Sequence, residues 1–160
     1  MTISAGEKMP SGTFGIMTDA GPGAISTDEL FAGKKVVLVS VPGAFTPTCS
    51  MNHLPGFVEQ AAAIKSKDVD TIACMAVNDV FVMDAWGKDR GVGDDVLMLA
   101  DGNGEYAEAL GLELDASGFG MGKRGQRFAI IVDDGVATHV AVEAPGKFEV
   151  SKAEAILAAL

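Results

Sequence analysis

Cys49 is one of two cysteines in the chain, and it stands in Thr46-Pro47-Thr48-Cys49-Ser50, among hydroxyl residues and not among aliphatic ones. A cysteine lost in an apolar core behaves as a small hydrophobe; one in this company points to a reactive thiol. Thr46 followed by Pro47 reads as a helix start, with Thr46 as N-cap and Pro47 at the first helical position. Cys49 then falls in the first helical turn. Unpaired backbone N–H groups and the positive end of the helix dipole converge there, and both favour negative charge on a side chain. His53 follows one turn later on the same side of the helix. A Cys–His pair is the residue set of a nucleophile and its base; the same histidine serves equally as packing at a pocket wall. Cys74, within Thr71-Ile72-Ala73-Cys74-Met75-Ala76-Val77, sits in the pattern of a buried strand and reads as an inert core thiol.

The element that must deliver Cys49 is the run Val36-Val37-Leu38-Val39-Ser40-Val41, rich in β-branched residues and bounded by Lys34-Lys35 and Pro42-Gly43. Such a run is a strand buried on both faces. A helix from about Pro47 to Lys65 follows, with a kink or restart expected at Pro55-Gly56. Around this unit the chain alternates. Thr13–Thr18 reads as an edge strand, Thr27–Phe31 as a short capped helix, Val69–Val77 and Val96–Ala100 as strands, Asp79–Asp89 and Glu105–Leu110 as helices. Residues 112–125 are glycine-rich and read as a long loop. Arg127–Val132 and Val136–Val142 flank Asp133-Asp134-Gly135, a hairpin signal. Ser151-Lys152-Ala153-Glu154 is a capping box that opens the last helix. The order gives an α/β fold with a central mixed sheet, parallel core strands, a C-terminal β-hairpin and helices on both faces. One domain over residues 1–160 is expected.

Pro42-Gly43-Ala44-Phe45-Thr46-Pro47-Thr48-Cys49-Ser50 resembles the active-site segment of the peroxiredoxins, most closely the type-five or type II group. The likeness continues in His53-Leu54-Pro55-Gly56-Phe57, Cys74–Asp79 and Gln126-Arg127-Phe128-Ala129, and so covers most of the chain. It implies a thioredoxin-like fold and a thiol peroxidase acting on hydrogen peroxide and alkyl hydroperoxides. Cys49 is the attacking sulfur in that reading, Thr46 positions the peroxide, Arg127 supplies the cation, and Pro42 shields the thiolate. Arg124 is a further basic position near the site, or a solvent-exposed one. The segment Glu143–Val150, where two-cysteine members of the group carry a resolving thiol, has no cysteine. The resemblance therefore implies a one-cysteine cycle recycled by glutathione with glutaredoxin, or by thioredoxin. It also implies a homodimer, with Phe45, Phe81, Met83, Trp86 and Phe119 as candidates for an apolar rim beside the site.

The whole chain is consistent with that. It has 48% hydrophobic and 21% charged residues and a net charge of −10, an acidic balance that disfavours nucleic-acid partners. No apolar run approaches a membrane span. Met1–Phe14 lacks a basic flank before an apolar block, so no secretory signal is expected. Two distant cysteines without a C-x-x-C exclude a disulfide scaffold or zinc ribbon and fit a reducing, cytoplasmic compartment. The glycines at 118–122 lack the strand–turn–helix frame of a dinucleotide site. Asp101–Glu105 lacks the terminal glutamate of a calcium loop. No cofactor and no metal are expected. The rival reading is a redox-sensing or chaperone-like binding module switched by Cys49 oxidation.

Overall fold

The β-branched run lies in the interior of the sheet. In the computed structural model, which describes residues 2–160, β3 (Lys35–Ser40) pairs in parallel with β4 (Thr71–Ala76) and antiparallel with β8 (Phe128–Asp133). Successive side chains of a strand point to opposite faces, and here both faces are covered. Val37 and Val39 enter one apolar core with Ile72, Cys74, Ala129 and Ile131. Val36 and Leu38 enter a second with Ala73, Met75, Phe128 and Ile130. A continuous apolar run is what a strand without a polar face requires.

Seven strands make up the sheet in the order β2-β1-β5-β4-β3-β8-β9, with β1 at Thr13–Thr18, β2 at Gly21–Ser26, β5 at Leu97–Ala100 and β9 at Val136–Val142. Only β3, β4 and β5 run parallel; both flanks are antiparallel. On one face, α2 (Leu54–Glu59), α3 (Ala61–Lys65), α4 (Val80–Asp89) and α6 (Ala153–Ala159) contribute Leu54, Phe57, Ile64, Met83, Trp86 and Ile156 to the first core. On the other, α1 (Thr27–Phe31) and α5 (Glu105–Leu110) contribute Leu30, Phe31, Tyr106 and Leu110 to the second. Burying a large apolar side chain stabilises by about 1.5–3 kcal/mol, so the two cores make a firm base for the loop after β3. The mixed sheet and the β8–β9 hairpin are those expected. Asp134 and Gly135 both have positive φ, 47° and 81°, as a two-residue hairpin turn requires.

Several local expectations change. β2 is a strand where the sequence shows none, because Gly21-Pro22-Gly23 are weak strand formers; six residue pairs with β1 override that preference. The segment 112–125 is no open loop. Its ends pair antiparallel as β6 (Glu113–Asp115) and β7 (Lys123–Gly125), with a 3-10 turn at Ser117–Phe119 between them. Gly120 and Gly122, at φ of 70° and 67°, let the chain return. The helix of residues 47–65 is interrupted at Gln60 and by a π-helical turn at Cys49–His53, one turn ahead of the kink expected at Pro55. Pro55 has no N–H to give to the previous turn, and the wide turn closes instead from Leu54 N–H to Cys49 O. Ser151 does not cap α6: Lys152 takes that position, with no side-chain cap bond. The helix begins at Ala153, one residue later than a cap at Ser151 requires, and the Ser151 hydroxyl donates to Glu143 Oε2 at 2.7 Å, a charge-assisted bond.

Candidate active site

After β3 the chain turns sharply through residues 42–46. Phe45 has φ of 64°, a left-handed conformation costing about 1–2 kcal/mol for a residue with a β-carbon. Two hydrogen bonds sustain it. Ala44 N–H donates to Asn78 Oδ1 at 2.9 Å, and the Thr46 hydroxyl donates to Gly43 O at 2.6 Å. Thr46 takes the N-cap position that the sequence suggests, its carbonyl accepting from Ser50 N–H at 2.9 Å ahead of helical Pro47, but its hydroxyl makes no cap bond and gives its one proton back to the loop. What remains on its oxygen is acceptor capacity. Gly43 is a site of close approach: a β-carbon there would lie 3.0 Å from Arg124 Nη1. Arg124 donates from Nε to Met121 O at 3.0 Å and reaches Pro42 O at 3.5 Å. It clasps the β6–β7 flap to the loop.

The turn brings Cys49 to the start of the π-helical segment, fully buried. Arg127, immediately before β8, donates from Nη2 to Cys49 Sγ at 3.1 Å and from Nη1 to His53 Nδ1 at 2.9 Å. His53 Nε2 in turn lies 3.0 Å from Ser151 O. A carbonyl only accepts, so Nε2 carries the ring proton and Nδ1 is the acceptor for Arg127. Both ring nitrogens are engaged and neither is bonded to the sulfur. The nucleophile–base pair that the spacing allows is not formed, and His53 belongs to Arg127.

Burial first, and then the Arg127 charge, hold the His53 pKa far below its usual 6.5, at about 4; the Ser151 carbonyl and Glu143 oppose this more weakly. His53 is thus neutral around neutral pH. The folded state refuses a proton that the unfolded chain takes up below about pH 6.5. Its contribution is complete above that value and is lost as pH falls toward about 4, where it levels off, by about 3 kcal/mol in all. Carboxylates lose stability over the same range, so the difference between chains isolates the histidine. Denaturant midpoints measured from pH 7 to pH 4.5 should fall less steeply for His53→Gln than for the parent. Equal slopes would mean that His53 titrates normally.

Two further bonds seat the segment on α4. Trp86 Nε1 donates to Ser50 Oγ at 2.8 Å, and Arg90 Nη1 to Ser50 O at 3.1 Å. Trp86 and Met83 are core residues, whereas Phe45, Phe81 and Phe119 are exposed. Cys74 is buried in β4; burial, and secondarily the Cys49 thiol, push its pKa well up, against a smaller opposing effect of Arg127. Beside the site opens a largely apolar cleft of about 560 Å³, lined among others by Pro42, Thr48, Leu114, Phe119, Arg127 and Phe148. Cys49, Arg127, Thr46 and Pro42 are thus gathered about one loop and one strand start. Sequence reasoning missed the partners behind Arg127, namely Ser151 and Glu143. The only available signal was the spacing of His53 from Cys49, because Arg127 and Ser151 lie 74 and 98 residues from His53 and no local pattern ties Glu143 to them.

A buried sulfur held against a fixed guanidinium on a thioredoxin-like sheet is an arrangement suited to thiol-dependent peroxide reduction. Comparison with known proteins agrees. The Redoxin family profile matches residues 4–157. Peroxiredoxin-2B of Arabidopsis thaliana is 50% identical over 159 residues, covering 99% of this chain and 98% of the relative. Peroxiredoxin-2E, chloroplastic, of the same plant is 49% identical over 164 residues, covering 99% and 70%. Among solved structures, reduced Prx3 of Vibrio vulnificus in complex with hydrogen peroxide superposes with a TM-score of 0.95 at 53% identity, covering 99% of both chains. The chain belongs to the peroxiredoxin family, in the group that holds the type II enzymes.

Proposed function

We propose that Cys49 is the sulfur that attacks the peroxide, and that the cycle is a one-cysteine cycle closed by an external thiol. The observation that carries this is the 3.1 Å bond from Arg127 to Cys49 Sγ. The thiolate attacks the terminal oxygen of hydrogen peroxide or an alkyl hydroperoxide. An S–O bond forms as the O–O bond breaks, and the leaving alkoxide or hydroxide takes a proton, giving alcohol or water and the sulfenic acid. The reaction needs the O–O bond in line with sulfur and the charge on the leaving oxygen stabilised. Arg127 supplies the fixed cation with its planar fork. Thr46 accepts a hydrogen bond from the peroxide, since its own proton is engaged at Gly43. Pro42 walls the cleft and screens the sulfur from water.

The sulfenic acid then condenses with an outside thiol, releasing water. A second thiol splits the mixed disulfide and restores Cys49. Glutathione with glutaredoxin is the reductant favoured here, with thioredoxin as the other candidate. The burial of Cys74 and the absence of cysteine from residues 143–150 support an external route. The exposed rings of Phe45, Phe81 and Phe119 support a homodimer formed beside the site, and the unpaired cysteines fit a reducing, cytoplasmic compartment.

Steady-state peroxide consumption with each reductant pair tests the reading. Glutathione plus glutaredoxin is expected to sustain many turnovers. Consumption that stops after one equivalent with every thiol supplied would instead identify a redox sensor that oxidises once and stalls.

A further inference from the structure

Building on Cys49 as the attacking sulfur, we infer that Glu143 and His53 are positioning residues for the peroxide step, holding the Arg127 guanidinium on Cys49 through a closed hydrogen-bonded ring that passes through Ser151. The ring can be followed bond by bond. Arg127 Nη1 donates to His53 Nδ1 at 2.9 Å, and His53 Nε2 donates to Ser151 O at 3.0 Å. Ser151 gives both its backbone N–H, at 2.8 Å, and its hydroxyl, at 2.7 Å, to Glu143 Oε2. Glu143 N–H donates to Arg127 O at 3.0 Å, closing the ring on the residue where it began.

Each link has a physical reason. One bond to sulfur fixes a single guanidinium nitrogen; the second, to His53, fixes the plane of the fork. That second bond exists only while His53 Nδ1 is unprotonated, and the Ser151 carbonyl selects that tautomer by taking the Nε2 proton. The carbonyl is in turn placed by Glu143. His53 and Ser151 are fully buried and Glu143 nearly so. A buried carboxylate needs compensation. Glu143 finds it in three donors on one oxygen, the third being Glu149 N–H at 2.8 Å. Burial pushes its pKa up, but the donors from Ser151 and from the 149–150 backbone outweigh it, and the group stays below the usual carboxylate range. Among the described residues no cation pairs with Glu143, so its charge is spent on fixing backbone. Residues 143–148 of this stretch are also a wall of the cleft beside Arg127. The wall and the guanidinium therefore move together or not at all.

The test uses the full chain with His53→Ala, Glu143→Ala, the double variant, and the amide variants His53→Gln and Glu143→Gln. The second-order rate of pre-reduced protein with hydrogen peroxide is compared with its rate of alkylation by iodoacetamide, which uses the same sulfur but no aligned O–O bond. Misplacing a positioned group by an ångström costs up to about 100-fold. Each alanine variant is expected to lower the peroxide-to-alkylation ratio by about 10- to 100-fold. The double variant should be no worse than the poorer single one, because a ring is broken by its first cut. The amides, which keep an acceptor and a donor, should recover most of the ratio. Lower thermal midpoints with an unchanged ratio, or two losses that multiply, would overturn the proposal. If an alanine chain does not fold, Glu143→Asp, whose carboxylate stops one methylene short of its donors, carries the same comparison. A parent chain whose Cys49 does not react with peroxide at all would refute the underlying reading and not the ring.

Discussion

Cys49→Ser is expected to remove peroxide turnover by at least about 10⁴-fold, the scale on which a covalent nucleophile counts, whereas Cys74→Ser keeps most of it. The serine side chain nearly matches cysteine in shape, so the loop, the π-helical turn and the Arg127 fork survive. What is lost is a sulfur that can accept oxygen from a peroxide and return to its starting state. Cys74 cannot stand in. Its side chain lies in the first core, on a β4 strand paired on both sides, and burial holds the thiol protonated. A hydroxyl there costs about 1–3 kcal/mol of stability unless it finds a partner, so the second variant should be less stable and yet active. Steady-state peroxide consumption with a saturating thiol, beside thermal midpoints, separates the two effects. A folded Cys74→Ser chain that has lost turnover would reopen an intramolecular disulfide.

Arg127→Lys is expected to reduce kcat/KM for peroxide by about 10²- to 10³-fold, the usual loss when one preorganised charge-stabilising donor is taken from an active site. The substitution keeps the positive charge and removes the fork. An ammonium is a compact point charge on a flexible stem; it cannot hold Sγ at 3.1 Å and His53 Nδ1 at 2.9 Å in one plane. His53 would then be left buried with an unused acceptor, which also lowers stability. Lysine activity near the parent's would show that charge alone suffices and that the planar geometry is incidental. A pre-steady-state measurement with hydrogen peroxide, before any reductant enters, assigns the loss to the oxidation step.

The parts legible in the sequence share one property: their signal is local. The run Val36–Val41 carries its own burial pattern, Asp134-Gly135 its own turn, and the Pro42–Ser50 segment both a helix start and a family resemblance. Arg127 was reachable only through that resemblance, since a lone arginine before a strand reads as a solvated charge. The errors arise where distant partners decide. Thr46 stands at the helix start as its position suggests, but its hydroxyl makes no cap bond and turns to Gly43 O. Ser151 looks like a cap, but the helix starts one residue late for it, and its hydroxyl is held by the Glu143 carboxylate eight residues away. Gly21–Ser26 becomes a strand because β1 is beside it, and the ends of 112–125 become strands because they meet each other. His53 is the instructive case. Its spacing from Cys49 marks it correctly as part of the site, but its role depends on Arg127, 74 residues further on.

Which sulfur peroxide reaches first decides whether Cys49 is the reacting thiol. One equivalent of hydrogen peroxide added to the reduced chain near neutral pH, followed by rapid trapping and peptide mass spectrometry, reports this for Cys49 and Cys74 separately. Fast oxidation confined to Cys49 is the predicted result, with Cys74 recovered unmodified. Slow oxidation shared equally by the two cysteines would contradict it, and would mean that the guanidinium over Cys49 does not set this sulfur apart for attack.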